Sequence, residues 1–162
     1  MPDSTAIRRL PVRPAAPERL PDGAFRVRRP IRFSHTDPAG IVYFPVYFDM
    51  FNALVEDWFT HELGFNYAEL IRDRRLGVPT VHVECDFLHP SRLGELLTLG
   101  VLVEKIGRSS IHLRILGEID GVTRLAARQV VAITQLDDLG ATEIPPDLRD
   151  ALTAYKERSR IG

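Results

Sequence analysis

Cysteine is almost absent from this chain: Cys85 is the only one in 162 residues. That excludes an intramolecular disulfide framework and a Cys-rich zinc site, and it suits a reducing compartment. An excess of either charge is also missing, since 21 Lys and Arg stand against 22 Asp and Glu for a net charge of -1. General binders of nucleic acid or membrane surfaces carry a basic excess, so neither partner is expected. No apolar run approaches the ~18 residues that cross a bilayer. The first 22 residues hold four arginines and five of the twelve prolines but no apolar h-region, so they do not read as a secretory signal. The expected location is the cytoplasm. There is no G-x-S-x-G, no phosphate-binding G-x-x-x-x-G-K-[ST] loop, no G-x-G-x-x-G and no H-E-x-x-H. His35, His61, His82, His89 and His112 show no paired ligand spacing, and no metal site is expected.

What is present sorts into an arm and one domain. Residues 1–22 read as a flexible Pro/Arg-rich arm, because Pro11, Pro14, Pro17 and Pro21 recur too often for a helix or a central strand. Residues 23–162 read as a single domain. Phe25, Val27, Ile31 and Phe33 suggest a first strand, which Pro30 confines to an edge or a bulge. A long helix fits Pro45 to about Glu62, where Tyr47, Met50, Phe51, Leu54, Val55 and Trp58 form one apolar stripe and Gly64 gives the stop. A short helix follows, capped by Asn66 with Glu69 three residues on and ended by Gly77.

Period-two alternation then marks strands. Val81, Val83, Cys85 and Phe87 would share a core face, and Leu97–Val103 and Ile111–Ile115 repeat the pattern. Asp120-Gly121 is a hairpin turn leading into a long strand from Thr123 to Leu136. Pro145 and Pro146 introduce a terminal helix bearing Leu148, Leu152 and Tyr155. An antiparallel sheet with one apolar face and one long apolar helix gives an α+β fold, the sheet wrapped around a central helix.

The segment from His35 to Pro45 is the most suggestive chemically. It sets the Asp37 carboxylate in a tight turn just before a helix N-terminus, whose free N–H groups and positive partial charge suit a developing oxyanion. The apolar stretch Ile41–Phe44 between them can exclude water. Taken alone, an Asp-Pro turn before a helix is structural in most proteins.

The run Asp37-Pro38-Ala39-Gly40-Ile41-Val42, followed by aromatics, Pro45, Tyr47 and a long helix, resembles the 4-hydroxybenzoyl-CoA thioesterase family of the hotdog fold. Gly107-Arg108-Ser109-Ser110, in a turn between strands, resembles the segment where that family binds the nucleotide end of coenzyme A. The likeness covers roughly residues 25–155. It implies an acyl-CoA thioesterase with Asp37 as nucleophile or general base and the Phe44 backbone N–H polarising the thioester carbonyl. Gly40 then permits close approach of the loop, and Tyr43 and Tyr47, with the Phe44 ring, wall the acyl pocket. Arg108, Ser109 and Ser110 would hold the coenzyme A phosphates, with Lys105 and Arg114 as further cations.

Coenzyme A enters as part of the substrate, and no cofactor is implied. A homodimer that continues the sheet across subunits, paired into a homotetramer, would place the site at the dimer interface. Asn52 stands where the 4-hydroxybenzoyl enzyme has an aspartate on the central helix, and Val78 where it has a threonine. Both changes remove polarity or charge, so the acyl group is expected to be benzoyl, another substituted aryl group, or a short acyl chain. Glu56 and Asp57 read as charged positions beside the apolar stripe. Two rivals stand: a hotdog enoyl-CoA hydratase, using His35 and Asp37 on one strand face, and a non-catalytic acyl-CoA-binding module.

Overall fold

The computed structural model describes residues 19–160; most of the expected arm, residues 1–18, lies outside them. Five antiparallel strands form the main sheet in the order β1-β4-β5-β6-β3: β1 Phe25–Pro30, β3 Thr80–Phe87, β4 Leu96–Ile106, β5 Ser110–Ile119 and β6 Val122–Ala132. Pro30 ends β1 at one edge of this sheet, where its missing N–H breaks no ladder.

Helix α1, Phe44–Asp57, lies on the inner face. Its apolar stripe meets Leu97, Leu99, Val101 and Val103 of β4, Ile111, Leu113 and Ile115 of β5, and Leu125, Ala127 and Val131 of β6. Trp58–Leu63 carries the helix on as a wider π turn, and Gly64 stops it at φ 82°, a left-handed conformation that costs glycine little. Helix α2, Tyr67–Arg72, is capped as expected: the Asn66 side chain accepts from the Glu69 N–H at 3.1 Å. Helix α3, Pro146–Arg158, buries Leu148, Leu152 and Tyr155 against the same core. The α+β hotdog architecture, a sheet folded around one long helix, is therefore present.

Four details differ from the sequence reading. The first strand stops at Pro30, because Phe33–His35 forms a 3-10 turn that leaves Phe33 82% exposed. Gly77 does not end α2; it sits in β2, Leu76–Gly77, where an added Cβ would come within 2.7 Å of Leu136. The long last strand breaks after Ala132. Its continuation β7, Thr134–Gln135, joins β2 and β8, Gly140–Ala141, in a separate three-stranded sheet. Finally, the apolar face of β3 is mostly outside the core: Val81 is 62% exposed, Val83 and Phe87 are also exposed, and Cys85 packs partly buried against the core as expected. Alternation reports which residues share a face. It is silent on whether the strand is central, and β3 is the second edge of the sheet.

On the outer face, Leu20 packs with Ala24, Leu102 and Leu116, and its N–H donates to Glu118.

Candidate active site

The loop that carries Asp37 is built almost entirely from backbone hydrogen bonds. The Gly40 N–H donates to the Asp37 carbonyl at 2.9 Å, closing a turn in which Gly40 takes φ 75°. The Asp37 N–H donates to the Ile41 carbonyl at 3.0 Å, and Thr36 bridges Val42. The chain returns on itself, so that the Tyr43 N–H reaches the His35 carbonyl at 2.9 Å immediately before α1 begins. Two further bonds dock the loop on the segment before β4: Val42 N–H to the Ser91 carbonyl and Leu93 N–H to the Gly40 carbonyl. Loop and helix start are thus one rigid unit.

Within it the Asp37 carboxylate is half-buried. Its Oδ1 accepts from the Ala39 N–H at 2.8 Å, and Oδ2 accepts from no group among the described residues. Phe44, first residue of α1, has no helical i−4 partner for its N–H, and no described backbone carbonyl accepts from it. Proline follows at Pro45, so the helix opens with one free donor and then a residue that has none.

Aromatic rings surround this opening. Phe44 meets Tyr43 edge-on at 5.6 Å, Phe48 at 6.5 Å and Phe87 at 6.2 Å, while Tyr47 stacks on Phe87 at 5.7 Å. Tyr43, Phe44 and Phe87 are exposed; Tyr47 is buried, and burial pushes its hydroxyl pKa up against the opposing influence of Ser91. Sequence reasoning missed Phe48 and Phe87. Phe48 could have been found as an apolar residue off the α1 stripe, and Phe87 as the last apolar position in the alternation of β3.

The other expected residues fall elsewhere. Asn52 is exposed on α1, and Val78 is buried in the main core between β2 and β3. Asp57 is ion-paired with Arg29 of β1, and Glu56 is exposed. Arg114 does not offer a free cation: it is 8% exposed and bonded to Glu104. His35 is not on a strand face beside Asp37. It ends the 3-10 turn, where its Nδ1 accepts from the Arg32 N–H at 2.9 Å. Cys85 is half-buried, and its thiol is pushed up to about 12 by burial and then by Asp86, so it stays protonated and unreactive at neutral pH. Among the described residues there is no group of three or more His, Cys, Asp or Glu side chains able to hold a metal, and no helix long and apolar enough to cross a membrane.

Arg108 and Ser109 occupy the turn from β4 to β5, with Arg108 exposed, and Ser110 opens β5. This turn is not beside Asp37. The Asp37 loop docks before the start of β4, whereas the turn follows its end. The 11 residues between rise roughly 3.3 Å each, a separation of about 35 Å along the sheet. A hollow of about 310 Å³, lined by Glu143, Ile144, Pro145, Pro146, Arg149 and Asp150, opens at the head of α3 on that far side.

Residues 31–152 match the family described as the thioesterase-like superfamily. Over 147 residues, 85% of this chain and 97% of the relative, the sequence is 25% identical to a 1,4-dihydroxy-2-naphthoyl-CoA hydrolase of Nostoc punctiforme. A solved gentisyl-coenzyme A thioesterase superposes with a TM-score of 0.71 at 25% identity, covering 80% of this chain and 98% of that one. The 1,4-dihydroxy-2-naphthoyl-CoA thioesterase of Synechocystis shares the fold at a TM-score of 0.73 and 20% identity, over 81% of this chain and 96% of its own.

Proposed function

The chain belongs to the thioesterase-like superfamily as a thioester hydrolase, and we propose that the thioester it cleaves joins an aromatic acid to coenzyme A. One observation carries this reading: a carboxylate with one oxygen tied and the other unengaged, in the loop that leads directly to a free helix-end N–H ringed by aromatic side chains. The hydrolases and thioesterases it resembles act on hydroxylated aryl-CoA esters, which supports an aryl acyl group over a short aliphatic one. A flat acyl group gains from edge and face contacts with Tyr43, Phe44 and Phe87.

In the reaction, Asp37 Oδ2 either attacks the thioester carbon or takes a proton from the attacking water. The carbonyl oxygen gains negative charge and is held by the Phe44 N–H at the positive end of α1. The carbon–sulfur bond then breaks and coenzyme A leaves as thiolate. Where water was the attacking group the acid is released at once; where Asp37 attacked, water hydrolyses the acyl-Asp37 anhydride to free the acid and restore the carboxylate. Arg108, with Ser109 and Ser110, binds the phosphates of the nucleotide.

Because Asp37 and Arg108 lie at opposite ends of one sheet, the complete site takes the two from different subunits. Antiparallel pairing of the free β3 edge with its copy reverses the partner end for end. It sets the partner's β4–β5 turn at this chain's Asp37 end. The assembly is a homodimer of this kind, paired into a homotetramer.

The test is a thiol-release screen over aryl, branched and straight-chain CoA esters, with Asp37→Asn beside the native protein. Aryl esters should turn over fastest, and the substitution should lower kcat by ~10²–10⁴-fold with the fold intact. Near-native turnover by the variant removes Asp37 from the mechanism. Loss of enoyl absorbance without thiol release would instead establish a hydratase, and ester binding without any turnover a binding module.

A further inference from the structure

The turn between β4 and β5 has its carbonyls drawn inward. The Ser109 carbonyl accepts from the Ile133 N–H at 2.7 Å and the Arg108 carbonyl from the Ile144 N–H at 2.9 Å. From α3, Arg149 adds a second hold: its Nη2 donates to the Gly107 carbonyl at 2.8 Å and to the Arg108 carbonyl at 3.2 Å. No described group accepts from the Arg108 or Ser109 N–H. Carbonyls taken up on the protein side and amides left free make a concave set of donors, which suits an anion. Arg149 is half-buried between Leu148 and Asp150, and it forms no ion pair among the described residues. Its guanidinium is therefore committed to the turn carbonyls and not to a carboxylate, although Glu143 and Asp150 line the same hollow.

We propose that Arg149 is a positioning residue for coenzyme A. By holding the Gly107 and Arg108 carbonyls it orients the Arg108 and Ser109 amides and the Arg108 fork toward the phosphates. The inference rests on the proposed role of the turn, and the experiment separates the two. Coenzyme A and pantetheine binding are measured by calorimetry, and kcat and KM are measured on benzoyl-CoA and benzoyl-pantetheine.

Arg149→Ala should weaken coenzyme A and raise the benzoyl-CoA KM by roughly tenfold, the scale of one charge-assisted hydrogen bond. Pantetheine binding, the benzoyl-pantetheine KM and both kcat values should stay unchanged. Arg149→Lys, which keeps the charge but ends one bond short of the Nη2 that holds both carbonyls, should lose about threefold. In an Arg108→Ala background the cost of Arg149→Ala should shrink, because the two act through one turn.

If Arg108→Ala leaves coenzyme A affinity untouched, the underlying reading of the turn fails. If Arg108→Ala weakens coenzyme A but Arg149→Ala does not, only the inference about Arg149 fails. Native affinity in Arg149→Lys, or full additivity of the two alanine variants, also overturns positioning. The lysine variant keeps the test decisive should the alanine variant not fold.

Discussion

Tyr155 shows how much one side chain can be asked to do. Its hydroxyl donates to the Val101 carbonyl and accepts from the Phe25 N–H, tying α3 to β4 and β1. Its ring meets Trp58 edge-on at 5.2 Å, and the Arg158 guanidinium lies 5.1 Å over it. Burial pushes its pKa up from 10.0 to about 12. Unfolding releases that hydroxyl to ionise at its ordinary value, so between pH 10 and 12 the unfolded chain binds fewer protons than the native one. Stability then falls as pH rises through that window. The two-unit difference corresponds to roughly 2–3 kcal/mol. Urea denaturation across this range should show the decline in the native protein. Tyr155→Phe should be less stable at pH 7 for want of two hydrogen bonds, yet flatter between pH 10 and 12; an equal decline in both would assign the alkaline loss to other groups.

At the scale of elements, the short helix α2 tests how far a local signal carries. Six residues are too few to hold a helix in isolation, so the cap and the packing of Leu70 must supply what propensity cannot. Asn66→Ala should cost about 1 kcal/mol in urea denaturation, and Asn66→Ser should recover most of it. Thiol release should not change in either variant, because the cap is no part of the proposed site. The cap and the Gly64 stop were legible because both are decided within four residues. Gly77 was misread as a stop because its reason is remote: Leu136 crowds it from the turn after β7, nearly sixty positions away. The exposure of β3 escaped for a related cause, since rank in a sheet is fixed by pairing with β6 and not by the strand's own alternation.

Over the whole molecule, the Asp37 loop and the β4–β5 turn could each be picked out from their own residues, while the distance between them could not. Phe87 joined the aromatic ring for the same reason: only the closed sheet carries the end of β3 to the start of α1. The proposed sharing of the site between subunits makes a sharp prediction. Co-expressing Asp37→Asn with Arg108→Ala gives mixed dimers in which one of the two sites draws both native residues. With random pairing, about a quarter of native activity should return at low benzoyl-CoA concentration. Activity equal to the average of the two separate variants would show that Asp37 and Arg108 do not complete a site across subunits.

The two margins of the sheet are unequal. Beside β4, the outer margin ends in a proline and presents Arg26 and Arg28, exposed charges that discourage a further strand. The opposite margin offers eight residues of open ladder. A copy that docks there uses up its own single open margin in doing so, and nothing remains to recruit a third. Growth by strand addition is therefore self-terminating, and the same edge that invites association cannot propagate into a fibre.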